Sequence, residues 1–142
     1  MSNGYFFEDL SLGMEAGVQK IVSENDIQLF ADISGDRNPV HLDDAYAATT
    51  RFKKRIAHGI LSASYISAAL GTKLPGPGSI YISQTLNFKG PVHIGDEVKT
   101  TVRISELIAA KKRVILSCSC TVEGKPVLEG EAVIMVPSRP ST

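Results

Sequence analysis

Hydrophobic and polar residues alternate with a period of two through the second half of the chain. Residues 98–104 and residues 114–122 each place every second, mostly apolar, side chain on one face. The stretches SIYISQTLNF before them and KPVLEGEAVIMVP after them predict two more strands. Alternating strands joined by short turns are typical of an antiparallel sheet with one buried and one solvated face. An earlier segment, GVQKI over residues 17–21, predicts a fifth strand.

The first half of the chain predicts helices instead. Ser23 followed by Asp26 indicates a helix start with Ser23 as the N-cap, and Gly35 ends that helix. Acidic residues at the start of residues 43–49 favour a second, short helix. The stretch AHGILSASYISAALGTKL is apolar nearly all round and rich in small residues, which predicts a long buried helix that other backbones approach closely.

These elements predict one α+β domain that spans residues 1–142. One strongly apolar helix needs a cover, and a curved antiparallel sheet has a single apolar face, so the sheet is expected to wrap round the helix. Such a sheet leaves an open edge that a second copy can pair with, so this topology favours a homodimer.

Composition excludes several classes of function. The formal net charge of the 142 residues is zero, so no electrostatic attraction to nucleic acid or to an anionic membrane is expected. No apolar run approaches the roughly 20 residues of a membrane-spanning helix. The N-terminus lacks the pattern of a signal peptide, and a cytoplasmic location is predicted.

The two cysteines, Cys118 and Cys120, lie two positions apart on a predicted strand. Neighbours on one strand are poorly placed for a disulfide, and two thiols without nearby histidines make a weak metal site. We expect reduced thiols that pack as small core residues, in keeping with a cytoplasmic location.

The stretch SGDRNPVH, from Ser34 to His41, contains candidate catalytic groups. Its glycine allows unusual backbone angles, its proline fixes one dihedral angle, and Asn38 can hydrogen-bond its own backbone, so the loop is expected to be rigid. Asp36 and His41 could then hold one water molecule between a carboxylate and an imidazole. The same residue types also form ordinary surface turns, and both interpretations are open on composition alone.

A second candidate is Gly59, at the predicted start of the long helix. Backbone N–H groups at a helix N-terminus are unpaired and carry partial positive charge, so this N–H could stabilise a developing oxyanion. The alternative is that Gly59 only permits close packing. For the neighbouring His58, a structural role is favoured.

Two motifs carry a resemblance to a known family. FADISGDRNPVH followed by Ala47, with AHGIL further on, resembles the MaoC-like, (R)-specific enoyl-CoA hydratases of the hydratase 2 type. The later stretch LPGPGSIYISQTLNFKGPVHIGDEV is similar to the short bacterial members that supply monomers for polyhydroxyalkanoate synthesis. The resemblance covers residues 8–137. It implies a hot dog fold in which a loop overhangs the central helix and carries the catalytic pair.

The resemblance also implies a reaction, namely hydration of a trans-2-enoyl-CoA thioester to the (R)-3-hydroxyacyl-CoA. The catalytic groups would be Asp36, His41 and the Gly59 N–H. The implied loop-shaping and substrate-binding positions are Asn38, Ser67, Leu70 and Val133. No metal, flavin or nicotinamide is expected as a cofactor, and the sequence contains no motif for one.

The phosphates of coenzyme A require cations. The run RFKKR, residues 51–55, lies shortly before Gly59 and could supply them, and Lys89 is a second candidate. A charge run of this kind can equally be a solvated face.

Three other functions are compatible with a hot dog domain, because fold alone does not determine function. An acyl-CoA thioesterase of this fold typically uses a carboxylate on or near the central helix, whereas residues 57–70 contain no Asp or Glu. A dehydratase acting on carrier-protein substrates takes its histidine and carboxylate from different elements, whereas here both lie on one loop. A non-catalytic acyl-binding subunit would have no need of an intact Asp–His pair.

Overall fold

The computed structural model describes residues 4–140, so residues 1–3 and 141–142 of the predicted domain lie outside the described residues. The helices and strands are β1 (Glu15–Ile21), α1 (Glu24–Ser34), α2 (Pro39–Leu42), α3 (Asp44–Ala48), α4 (Gly59–Thr72), β2 (Ile80–Gln84), β3 (Asn87–Phe88), β4 (Glu97–Ile108), β5 (Arg113–Val122) and β6 (Lys125–Met135). A short 3₁₀ turn, Phe7–Asp9, precedes β1, and another, Ala109–Lys111, connects β4 to β5. The six strands form an antiparallel sheet in the order β1-β4-β5-β6-β2, with β3 also paired to β6.

The inner face of the sheet follows the alternation of the sequence. Side chains of β4 and β5 at every second position are buried, and the two strands pair so that Val102 lies opposite Cys118 and Thr100 opposite Cys120. Both cysteines are free thiols in the core, as predicted. Burial raises the pKa of Cys118 to about 11, so this thiol stays protonated and packs as a small apolar group.

The helix α4 packs its buried face against this sheet. That face consists of Leu61, Ser62, Tyr65, Ile66, Ala69 and Leu70. The prediction that the helix is buried on most sides is wrong, because Ile60, Ser67 and Gly71 on the opposite face are exposed. The sheet curves round one side of the helix only, and the small residues of the other side leave an open surface.

The stretch predicted as one strand over residues 79–88 is divided into β2 and β3. A register shift between Tyr81 and Ser83 interrupts its pairing with β6. The expectation of one buried face is also wrong here, because Ile80, Tyr81 and Ile82 are all exposed. This strand forms an edge of the sheet, where α4 does not cover it.

The loop that follows α1 is held by well-formed helix ends. Ser23 and Asp26 form a reciprocal capping box at the start of α1, as predicted. Gly35 ends the helix with φ of 81°, a left-handed conformation that favours glycine. The short helix α2 was not predicted; Pro39 occupies its first position, where proline is well tolerated.

In the described part of the chain, no helix is long and apolar enough to cross a membrane.

The two isoleucines of α1 provide a test of this packing. Ile27 is 0% exposed in the core, whereas Ile33 on the same helix is 85% exposed. Ile27→Ala should lower the free energy of unfolding by about 2–5 kcal/mol through lost burial and a residual cavity. Ile33→Ala should change it by less than about 0.5 kcal/mol. Chemical denaturation measures both; equal losses in the two variants would contradict the position of α1.

Candidate active site

The loop from Ser34 to His41 is rigid because its side chains bond its own backbone. The hydroxyl of Ser34 accepts from the Asp36 N–H at 3.0 Å, and the Asp36 carboxylate accepts from the Asn38 N–H at 3.2 Å. The Asn38 side-chain oxygen accepts from the Val40 N–H at 3.1 Å and caps α2. These bonds occupy the Asn38 oxygen within the loop, so its placement supports the loop-shaping role; a contact with substrate stays a prediction.

His41 is presented by α2 with a defined tautomer. Its Nδ1 lies 2.7 Å from the carbonyl oxygen of Ile56. Because a carbonyl oxygen only accepts, Nδ1 must carry the proton, and Nε2 of the neutral ring keeps its lone pair. The imidazole is therefore oriented as a base through Nε2.

Arg55 holds the backbone of His41 in place. Its Nε donates to the His41 carbonyl oxygen at 2.7 Å, and another guanidinium nitrogen donates to Glu24 at 2.8 Å. Arg55 is 8% exposed, so it is not part of a solvated or CoA-binding run as RFKKR was interpreted. In the sequence, Arg55 directly precedes the apolar residues Ile56 and Ala57, and this position could have indicated that Arg55 is buried.

Asp36, His41 and His58 form one cluster. One nitrogen or oxygen of each side chain lies within 4.8 Å of the others. The rings of His41 and His58 stack with centroids 3.9 Å apart, and His58 Nε2 lies 2.9 Å from the Asp36 carbonyl oxygen. The structure therefore brings the predicted pair Asp36 and His41 together, although their catalytic roles stay a prediction.

The same three side chains offer nitrogen and oxygen atoms of the kinds that bind metal ions. Each imidazole already has one nitrogen bonded to a carbonyl oxygen, and the remaining nitrogen of His58, Nδ1, is completely buried. Transition metals need ligand atoms about 2 Å from a common centre. A carboxylate beside one free imidazole nitrogen fits proton transfer through a shared water better than it fits metal binding.

Burial controls the protonation of His41. It lowers the pKa of His41, and the adjacent His58 lowers it further, while the Ile56 carbonyl and the Asp36 carboxylate act in the opposite direction. The net effect is a pKa below the ordinary value of about 6.5. His41 is thus kept neutral, and able to accept a proton, at neutral pH.

Gly59 begins α4 beside this cluster, at one wall of a cleft with a volume of about 440 Å³. Backbone N–H groups in the first turn of a helix have no partner within the helix. A Cβ at Gly59 would lie 2.6 Å from the ring of Phe88, so glycine is required for this ring to lie against the helix start. The cleft also reaches Arg51 and Lys89, whereas Lys53 and Lys54 line a different depression.

Comparison with known proteins identifies this architecture. The profile of the MaoC-like domain matches residues 12–123. The chain belongs to the MaoC-like family.

Relatives of this MaoC-like chain carry named activities. It is 56% identical to an (R)-specific enoyl-CoA hydratase of Rhodospirillum rubrum, over 95% of this chain and 94% of that protein. It is 52% identical to a 3-hydroxybutyryl-CoA dehydratase of Methylorubrum extorquens, over 94% and 85%. The R-hydratase PhaJ1 of Pseudomonas aeruginosa superimposes with a TM-score of 0.90 at 50% identity, covering 96% of this chain and 88% of that one. These likenesses confirm the family and the hot dog fold expected from the sequence.

The structure separates three residues that the resemblance implies as substrate-binding in this MaoC-like domain. Ser67 lies on the open face of α4, and Leu70 lies in the core. Val133 alternates on β6 with Ala132 and Ile134, which belong to the same core cluster as Leu70. Since successive strand residues point to opposite faces, Val133 points away from Leu70, and its placement does not support a shared pocket.

The protonation of His41 can be measured by NMR. We expect its imidazole to titrate below about 6.5, because burial disfavours the cation. The unfolded chain then binds this proton more readily than the folded chain, so the free energy of unfolding should fall as the pH drops from 7 through the folded-state pKa. A His41→Gln variant should lose that part of the pH dependence. A His41 resonance that titrates at or above the ordinary value would contradict the assignment.

Proposed function

We propose that this protein is an (R)-specific enoyl-CoA hydratase, a hydro-lyase that adds water to trans-2-enoyl-CoA to form (R)-3-hydroxyacyl-CoA. The observation that carries the proposal is that a side-chain oxygen of Asp36 lies within 4.8 Å of a ring nitrogen of His41, whose Nε2 is unprotonated, beside the N-terminus of α4. The activities named for its relatives at 56% and 52% identity support the same reaction, one in the direction of hydration and the other in reverse.

The mechanism uses the three groups together. The Gly59 N–H donates to the thioester carbonyl oxygen and draws electron density from the conjugated double bond. Asp36 and His41 Nε2 hold one water, whose oxygen bonds to the β-carbon as the pair removes a proton. The pair then delivers a proton to the α-carbon, so that one water is added and the site returns to its starting state. The two groups act as one coupled unit, and no resident metal or redox cofactor takes part in the proposal.

The substrate enters through the cleft at Gly59. Arg51 and Lys89 reach this cleft and carry the positive charge that the phosphates of coenzyme A require. The acyl chain lies along the small residues of α4, beginning at Gly59 and passing Ser67 on the open face of the helix. Asn38, Leu70 and Val133 stay predictions as substrate contacts.

Replacement of the carboxylate tests the proposal. Asp36→Asn keeps the size of the side chain but removes its ability to take a proton, so kcat/KM for crotonyl-CoA should fall at least about 10²-fold. The matched control is Asp32→Asn, since Asp32 is exposed and bonds the exposed side chains of Arg37 and Gln28. Hydration is followed as loss of the ultraviolet absorbance of the conjugated thioester.

The product distinguishes the alternatives. Oxidation of the product by an (R)-specific dehydrogenase is the expected result. Release of free coenzyme A would indicate a thioesterase. A folded wild-type protein without activity on crotonyl-CoA or longer enoyl-CoAs would refute the hydratase function and favour a non-catalytic acyl-binding subunit.

The active unit that we propose is a homodimer joined through β2. This edge strand exposes Ile80, Tyr81 and Ile82 on both of its faces. An exposed apolar edge with free backbone groups is a template for pairing with another strand, and soluble proteins rarely leave one uncovered. Pairing of β2 with its copy would extend the sheet across a two-fold axis. The cytoplasmic location predicted from the sequence stays a prediction.

A charge on this edge should separate the subunits. Ile82→Lys places a cation in the proposed interface, so light scattering should report the mass of one chain instead of two. The matched control is Ile21→Lys, because Ile21 is also exposed but lies on β1 at the opposite edge of the sheet. Dissociation by the control, and not by Ile82→Lys, would place the interface on β1.

A further inference from the structure

His58 has no part in the reaction described above, although it lies in the centre of the site. It occupies the N-cap position of α4, directly before Gly59, yet its side chain makes no capping hydrogen bond. Its ring lies between two others: His41, stacked at 3.9 Å, and Phe30, tilted at 4.8 Å. It is 2% exposed. A residue held this closely, without the usual capping function, requires another explanation.

Neither nitrogen of His58 is available to substrate. Nε2 lies 2.9 Å from the Asp36 carbonyl oxygen and must donate to it, since that oxygen only accepts. Nδ1 is buried and has no hydrogen-bond partner among residues 4–140. An unpaired buried acceptor is destabilising, and a phenylalanine ring at this position would avoid that cost. Stability alone therefore does not account for a histidine here, and its distinctive contribution is the bond to the Asp36 backbone.

We propose that His58 is a positioning residue that ties the loop carrying Asp36 to the start of α4 and holds the ring of His41 between them. Through this one side chain, the water-activating pair and the Gly59 N–H are kept at a fixed separation. The inference rests on the proposed hydratase function for its catalytic meaning, but the tether itself is a property of the fold.

The separation matters because both ends of the substrate must be engaged at once. The thioester oxygen has to meet the Gly59 N–H while the β-carbon meets the water at Asp36 and His41. The Ile56 carbonyl fixes one edge of the His41 ring, and His58 covers one of its faces. Loss of the tether would let the loop move relative to α4, and a displacement of about 1 Å can cost about 10²-fold in rate.

Two substitutions separate the hydrogen bond from the ring. His58→Phe keeps an aromatic ring for stacking but removes the donor to Asp36. His58→Gln loses the ring, while its amide NH₂ reaches the position of Nε2 and can restore the bond. The expected result is a fall in kcat of about 10²-fold for His58→Phe with KM changed less than about threefold, and recovery of at least about tenfold of that loss in His58→Gln.

A second measurement does not depend on activity. The backbone N–H of His41 donates to the Asn38 carbonyl oxygen, and the backbone N–H of Val40 donates to the Asn38 side-chain oxygen. The exchange rates of these two amide hydrogens therefore report how often the loop opens. Their hydrogen exchange should be about 3–10-fold faster in His58→Phe than in wild type, and close to wild type in His58→Gln.

The outcomes are distinct. Wild-type kcat and unchanged loop exchange in His58→Phe would overturn the proposal. Equal loss of kcat in both variants, with thermal stability retained, would also overturn it, because the bond would then not be the important feature. An inactive wild-type protein whose loop exchange still depends on the bond would refute the hydratase function and leave the tether established.

Discussion

Burial of one face of α4 against the inner face of the sheet is the constraint on which the rest of the molecule depends. The alternating apolar positions of β4 and β5 need a cover, and residues such as Ile66 and Leu70 provide it. That packing fixes the axis of the helix and therefore the place of its first N–H groups. It also leaves exposed the face of the helix that carries Ile60, Ser67 and Gly71. The candidate site lies at the first turn of this helix, where Gly59 and Phe88 of the sheet both line the cleft.

The loop from Ser34 to His41 has no hydrophobic core of its own. Hydrogen bonds must therefore hold Asp36 and His41 in place beside the start of this helix. Three successive side chain-to-backbone bonds within the loop set its shape. Longer-range contacts set its position: Arg55 bonds the His41 carbonyl oxygen, the Ile56 carbonyl oxygen bonds the His41 ring, and His58 bonds Asp36. The shape of the loop depends on bonds within residues 34–41, whereas its position depends on contacts with residues that are distant in the sequence.

This division explains how far the sequence could be interpreted. The capping box at Ser23, the left-handed Gly35 and the inward face of β4 are decided by neighbouring residues, and all three were predicted correctly. The motif around Asp36 indicated the family, which the comparisons confirm. The burial of Arg55 was not predicted, because the sequence does not show which cation of a charged run is buried by tertiary contacts. Val133 stays a prediction as a substrate contact, and its case shows how a shift of one residue along a strand reverses the face on which a side chain lies.

The exposed edge at β2 connects the fold to the site. Apolar residues on both faces of β2 leave uncovered surface at the edge where the sheet ends. Phe88 lies on the same margin, on β3, and its ring touches the position where a side chain at Gly59 would stand. A partner that pairs with β2 would therefore approach the wall of the cleft as well as the edge of the sheet. In the proposed homodimer, assembly and substrate binding would share one surface, because a single helix covers only one side of its own sheet.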